Sequence, residues 1–169
     1  MTVTTTEPDF ASLPWVQTIL AAPSTTLVET DFIRQRKASS EDSLTAVTLN
    51  TADTFRALLG VRTPAGTILF VSLGDGMNGH PGVLHGGIVA TIMDMALCIA
   101  IDESVPAFTA WLKLGYKKPT PAPGVLMAKC WVARKEGRKW FINGSLENGS
   151  GTVYAEAECL YVEVKQAML

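Results

Sequence analysis

The chain is sparing with histidine, cysteine and charge, and each shortage removes a class of chemistry. Among 169 residues only two are histidines, His80 and His85. Neither has cysteine or carboxylate neighbours at ligand spacing, so no metal site is expected. The three cysteines, Cys98, Cys130 and Cys159, are odd in number, form no C-x-x-C pair and sit in apolar or alternating segments. They read as reduced core thiols, and a cytoplasmic protein is expected. Charged residues make up 18%, the formal net charge is −2, and no long Lys/Arg run occurs. Neither nucleic acid nor a membrane surface is an expected partner. The apolar stretch from Ile88 to Ile101 is too short to cross a bilayer and contains Asp94. The chain does not open on a cationic segment followed by an apolar one, so no secretory signal is expected.

Hydrophobic residues, in contrast, make up 47% of the chain, enough for a core in one globular domain. Residues 1–60 read as an N-terminal extension whose short helices pack on a main unit over 61–169. Leu13, Val16, Ile19 and Leu20 recur at helical spacing, with Pro14 suited to a first turn and Pro23 to a stop. The polar stretch from Asp31 to Ser43 reads as an extended edge and loop, and Thr51–Leu59 as a second short helix stopped by Gly60. The sequence T-I-L-F-V-S-L after Gly66 is a strand running into the turn-rich G-D-G-M-N-G. Four further strand-like runs, Phe108–Lys117, Val125–Arg134, Lys139–Glu147 and Thr152–Val164, are separated by the Pro119–Gly124 cluster and two hairpin signals. They predict an antiparallel meander. The expected architecture is α+β, a curved antiparallel sheet of five to six strands wrapped around a long helix over about 86–102.

That helix poses the central chemical question. From Gly86 to Ile101 it is apolar around its whole circumference, which predicts enclosure by other structure. Asp94 is the only charge in it. An ionised carboxylate there costs several kcal/mol unless it is paired, hydrogen-bonded or reached by water, and such groups concentrate where chemistry is done. The other reading of Asp94 is a structural carboxylate bridging a neighbouring loop. The helix opens on His85-Gly86-Gly87, where unsatisfied backbone N–H groups and a partial positive charge can hold a carbonyl oxygen that becomes negative. This is an oxyanion hole in physical terms.

The segment H-P-G-V-L-H-G-G-I-V-A-T-I-M-D, His80–Asp94, resembles the H-G-G-x6-D signature of hotdog-fold acyl-thioesterases of the phenylacetate-pathway and thioesterase superfamily member 4 type. Three more segments follow in the same order: T-A-W-L-K-L-G-Y-K-K-P-T-P at 109–121, E-G-R-K-W-F at 136–141, and Y-A-E-A-E-C-L at 154–160. The resemblance implies hydrolysis of an acyl thioester carried by coenzyme A or by an acyl carrier protein. Asp94 is then general base or nucleophile, Gly86 the oxyanion donor and Thr109 a hydroxyl that orients water or the carboxylate. His85 either positions the thioester or fixes the turn, and its side chain suits the second role. Gly87, Asn78, Gly115, Lys117, Arg138 and Lys139 fall at substrate-binding positions, the last three as cations for the coenzyme A or pantetheine portion.

Two positions depart from the family pattern. Gly115 stands where relatives often carry Asn, and Gly79 occupies the place of a family Asn, with Asn78 one residue further from His85. The family also implies a homodimer, or a dimer of dimers, in which Asp94 and the oxyanion donor of one site come from opposite subunits. No metal or nucleotide cofactor is implied; coenzyme A or phosphopantetheine enters as part of the substrate. Two alternatives stay open. One is a hotdog enzyme with altered chemistry, such as product release, dehydration or cyclisation; the other is a non-catalytic acyl-thioester binding protein.

Overall fold

The computed structural model describes residues 3–30, 33, 44–102 and 104–164. The polar stretch read as an edge and loop over 31–43 lies outside these residues except for Ile33. The chain begins with two helices that each carry proline in the first turn, α1 (Pro8–Ala11) and α2 (Pro14–Ala21). Pro14, at the start of α2, lacks only an N–H that a helix start leaves unbonded anyway. The strands are β1 (Thr26–Val28), β2 (Phe55–Thr63), β3 (Gly66–Leu73), β4 (Asn78–His80), β5 (Val83–Leu84), β6 (Ala107–Tyr116), β7 (Gly124–Glu136), β8 (Lys139–Glu147) and β9 (Val153–Glu163). The long helix α3 spans Gly86–Cys98. Strands β4 and β5 form a small hairpin, and the other seven form one antiparallel sheet in the order β1-β2-β3-β7-β8-β9-β6.

Alternation along β3 divides the core in two. Ile68 and Phe70 meet Phe10, Val16 and Leu20, so α1 and α2 cover the outer face of the sheet there. Each fully buried side chain of this kind contributes about 1.5–3 kcal/mol. Leu69, Val71 and Leu73 face the other way, into the main core with Val89, Ile92 and Met93 of α3. Gly144 of β8 lets the helix come close, since a Cβ there would lie 2.9 Å from Cys130 Sγ and 3.0 Å from Met93 Cε.

Four sequence expectations change. The helix expected over Thr51–Leu59 is in large part strand β2, so the sheet crosses the division placed after residue 60. Ala57-Leu58-Leu59 has good helix propensity, and pairing on both sides with β1 and β3 overrides it. Gly60 is not a helix stop. A Cβ there would lie 2.7 Å from Thr30 Cγ2, so the glycine admits the segment that follows β1. The sheet has seven strands and not five or six, because β1 and β2 were not expected as strands. The meander holds only for β7-β8-β9, since β6 returns to the edge beside β9. Finally, α3 stops at Cys98 and is not enclosed all round: Gly87 is exposed, and Ala90, Thr91, Asp94 and Cys98 are only partly buried along one face.

Candidate active site

The open face of α3 carries Asp94, and two strands reach it. Thr109 Oγ1 on β6 donates to Asp94 Oδ1 at 2.9 Å. The Tyr161 hydroxyl on β9 lies 2.7 Å from the Asp94 carbonyl oxygen and 3.1 Å from the same Oδ1, its one proton shared between them. Thr109 and Tyr161 are direct cross-strand partners, so one position of the sheet supplies both donors. The second carboxylate oxygen, Oδ2, accepts no hydrogen bond among the described residues. Burial, and after it the charge of Asp94, pushes the Tyr161 phenol well above its usual range, so it stays protonated as a donor.

A bulge makes this arrangement possible. The β6–β9 register shifts between Thr109 and Trp111, leaving Ala110 as an extra residue. On its far side Leu112 and Leu114 pack against the core, and Tyr116 reaches α3. Uninterrupted alternation would put Thr109 on the face of Trp111, away from Asp94. The bulge returns it to the helix side.

The helix start is arranged around one free donor. His85 is the N-cap, and its Nδ1 accepts the Gly87 N–H at 3.0 Å. An accepting Nδ1 places the ring proton on Nε2, so the imidazole is a cap, the structural role favoured for it. Gly79 fits beneath this ring, where a Cβ would lie 3.3 Å from His85 Cδ2. The N–H groups of Ile88 and Val89 bond the His85 carbonyl. The Gly86 N–H is left without an acceptor among the described residues. The Gly86 carbonyl accepts from the Tyr116 hydroxyl at 2.8 Å, which fixes the first turn to β6. A Cβ at Gly86 would meet Tyr116 only at ordinary contact distance, 3.4 Å. The glycine therefore relieves no clash; it leaves the approach to its N–H bare. A cavity of about 400 Å3 lies there, lined by Gly86, Tyr116, Lys117 and Lys118 among others.

The other expected substrate-binding residues are scattered. Gly115 is exposed on β6, where a Cβ would make only ordinary contacts, with the Glu156 carbonyl oxygen at 3.9 Å. Asn78 Nδ2 donates to the Ala122 carbonyl at 3.1 Å, tying β4 to the loop after β6, and its buried Oδ1 has no partner among the described residues. Lys117, past the end of β6, pairs with Glu156 at 2.8 Å. Arg138 Nη1 donates to the Glu163 carbonyl at 3.0 Å, and Lys139 begins β8 beside it. The register sets Glu163 opposite Ala107, the far end of β6 from Lys117. That is about 30 Å at 3.3 Å per strand residue, so one chain does not bring its Lys117 to its own Arg138 and Lys139. Gly86 and Asp94 are likewise separated, by eight residues of one helix or about 12 Å.

The cysteines do not compete as nucleophiles. Burial first and the Asp94 charge second raise Cys98, and the same causes in the same order push Cys159 up to about 12. Burial, then Cys159, raises Cys130. Thiols held protonated are poor nucleophiles. Among the described residues no three His, Cys, Asp or Glu side chains are grouped to hold a metal. Tyr161 and Tyr116 carry no signal in the sequence, where they look like ordinary strand aromatics until their register is known.

A sequence model of the Thioesterase superfamily matches residues 81–155, from the loop before α3 into β9. The acyl-coenzyme A thioesterase THEM4 of Mus musculus is 38% identical over 90 residues, which cover 52% of this chain and 39% of that protein. The chain thus spans less than half the length of that curated relative. Among solved structures, one described as a thioesterase superfamily protein superimposes with TM-score 0.56 at 27% identity, covering 62% of this chain and 53% of the other. A hypothetical thioesterase from Streptococcus pneumoniae, solved with coenzyme A, gives TM-score 0.59 at 17% identity over 66% of this chain and 89% of its own, a likeness of fold. Fold, family match and relatives agree: residues 81–155, less than half of the chain, resemble the thioesterase superfamily, and the fold is the hotdog fold.

Proposed function

We propose that the chain hydrolyses acyl-coenzyme A thioesters at a site shared by two copies of itself. The observation that carries this reading is the state of Asp94: both donors sit on Oδ1, which orients the carboxylate and leaves Oδ2 open on the exposed face of α3. Oδ2 takes a proton from water as the oxygen attacks the thioester carbon, or attacks the carbon itself. The carbonyl oxygen becomes negative and is held by the Gly86 N–H of the second copy. Collapse breaks the C–S bond, and the proton passes to the departing thiolate; where Oδ2 itself attacks, the mixed anhydride left on Asp94 is hydrolysed by water, which supplies that proton. Net, water and acyl thioester give carboxylic acid and thiol.

The second copy follows from distance, since about 12 Å along one helix separates Gly86 from Asp94 and a single carbonyl group cannot bridge it. Strand β6 is the place for it to join. This edge strand exposes Phe108 at 65%, Tyr116 at 56% and Trp111 at 42%, an apolar edge that natural sheets cover. Antiparallel pairing of two β6 edges about a two-fold axis sets Lys117 of one copy beside Arg138 and Lys139 of the other. Those cations then flank one diphosphate, which favours coenzyme A as the carrier.

A thiol-release assay over a panel of acyl-coenzyme A and acyl-pantetheine substrates tests the reading. Hydrolysis is expected, with kcat reduced at least about a hundredfold in Asp94→Asn, which keeps an acceptor for Thr109. Full hydrolysis in that variant would overturn the role of Asp94. Tight binding of acyl-coenzyme A without any thiol release would make the protein a binder and not a hydrolase.

A further inference from the structure

A larger cavity, of about 590 Å3, lies beyond the carboxyl end of α3. Two elements run into it from Asp94. On α3, Cys98 lies one turn after Asp94 on the same face, and it lines the cavity. On β6, Ala107 lies two residues before Thr109 on the same face, and it lines the cavity too. Thr109 is itself bonded to Asp94, so both paths begin at one carboxylate. The step is about 6 Å along the helix and about 7 Å along the strand, and the two agree.

We propose that this cavity takes the acyl chain, and that the substrate class is a neutral aliphatic acyl group long enough to pass Cys98. The inference rests on the thioester-hydrolase reading above. The size falls within the range that encloses small ligands. Leu27 of β1 and Ile99, Ile101 and Val105 after α3 give it apolar walls. Among the described residues it also holds Arg62, whose positive charge acts on Asp102. Asp102 Oδ1 accepts the Ser104 hydroxyl at 2.6 Å and the Ser104 N–H at 2.9 Å, contacts that hold its carboxyl below the usual range. An acyl chain ending in its own carboxylate would therefore compete with Asp102 for Arg62 and meet an ionised carboxylate beside it. Covering the 6 Å to Cys98 takes about five C–C bonds, so acetyl and propionyl groups do not reach the apolar walls. Beyond that length each methylene buried gains up to about fourfold in kcat/KM.

The experiment is a series from acetyl- to decanoyl-coenzyme A, with suberyl-coenzyme A as the carboxylated match to octanoyl. Wild-type kcat/KM is expected to climb beyond about six carbons, with suberyl at least tenfold behind octanoyl. Val105→Trp fills the cavity, and Leu27→Asp charges a wall residue exposed enough (59%) to leave folding intact. Each is expected to lower the octanoyl-to-butyryl ratio of kcat/KM at least tenfold. Hydrolysis with a chain-length profile that neither variant moves would overturn the cavity assignment and leave the hydrolase reading standing. Calorimetric binding of octanoyl- and butyryl-coenzyme A to Asp94→Asn reads the cavity without turnover. Tighter octanoyl binding, abolished by Val105→Trp, supports the assignment even where no thiol is released, and equal binding of the two overturns it.

Discussion

Asp94 is held by two hydroxyls on one oxygen, which in the proposed mechanism separates holding from reacting within a single carboxylate. In that mechanism Thr109 and Tyr161 are positioning residues, so the loss of one leaves the other to keep Oδ1 in place. Thr109→Val and Tyr161→Phe are each expected to lower kcat by about tenfold or less with little change in KM, and Tyr161→Phe to cost about 1 kcal/mol of stability. The double variant should fall well below the product of the two single effects, toward Asp94→Asn, because only then can the carboxylate rotate. Strictly multiplicative kcat values would show that the hydroxyls do not share one task. Asp94 was legible in the sequence as a lone charge in an apolar helix, and Thr109 through the family resemblance. Tyr161 was not legible, because an aromatic residue in an alternating strand is ordinary until cross-strand register sets it opposite Thr109.

At the scale of elements, regular periodicity was readable and its interruptions were not. Strands β3, β7, β8 and β9 and helix α2 lie close to where spacing and turn residues set them. Strand β2 was read as helix because its residues favour helix locally and its pairing with β1 and β3 is long-range. The alternation along β6 hid the bulge at Ala110, the feature that turns Thr109 toward Asp94. Deleting Ala110 should remove the bulge and set Thr109 directly before Trp111 in strict alternation, still opposite Tyr161 and facing Asp94, with Phe108 still outward. The expected outcome is a cooperative melt with kcat well above that of Thr109→Val. A deletion variant with kcat as low as that of Thr109→Val would mean that the bulge itself, and not register alone, sets Thr109 against Asp94.

On the scale of the whole molecule, the apolar helix and the exposed apolar edge raise one question. The sequence predicts a helix covered on every side, yet Gly87, Ala90, Thr91, Asp94 and Cys98 form a partly open face. Sequence pattern records that a surface is meant to be buried and does not record which chain buries it. If a second copy does so, each site takes Asp94 from one chain and Gly86 from the other, and the two can be disabled separately. Gly86→Pro is a clean way to remove the donor: proline is favoured at the first helical position, and His85 before it is already extended, at ψ 135°. Asp94→Asn and Gly86→Pro should each be nearly inactive alone. When they are co-expressed in equal amounts, half the dimers are mixed, and each mixed dimer holds one site with both Asp94 and Gly86 intact. Random pairing therefore predicts recovery of about a quarter of wild-type activity. A site built within one chain predicts none, because every chain in the mixture then lacks one of its two groups. Thiol release from the co-expressed pair, set against the two variants purified apart and mixed without exchange, decides between these arrangements.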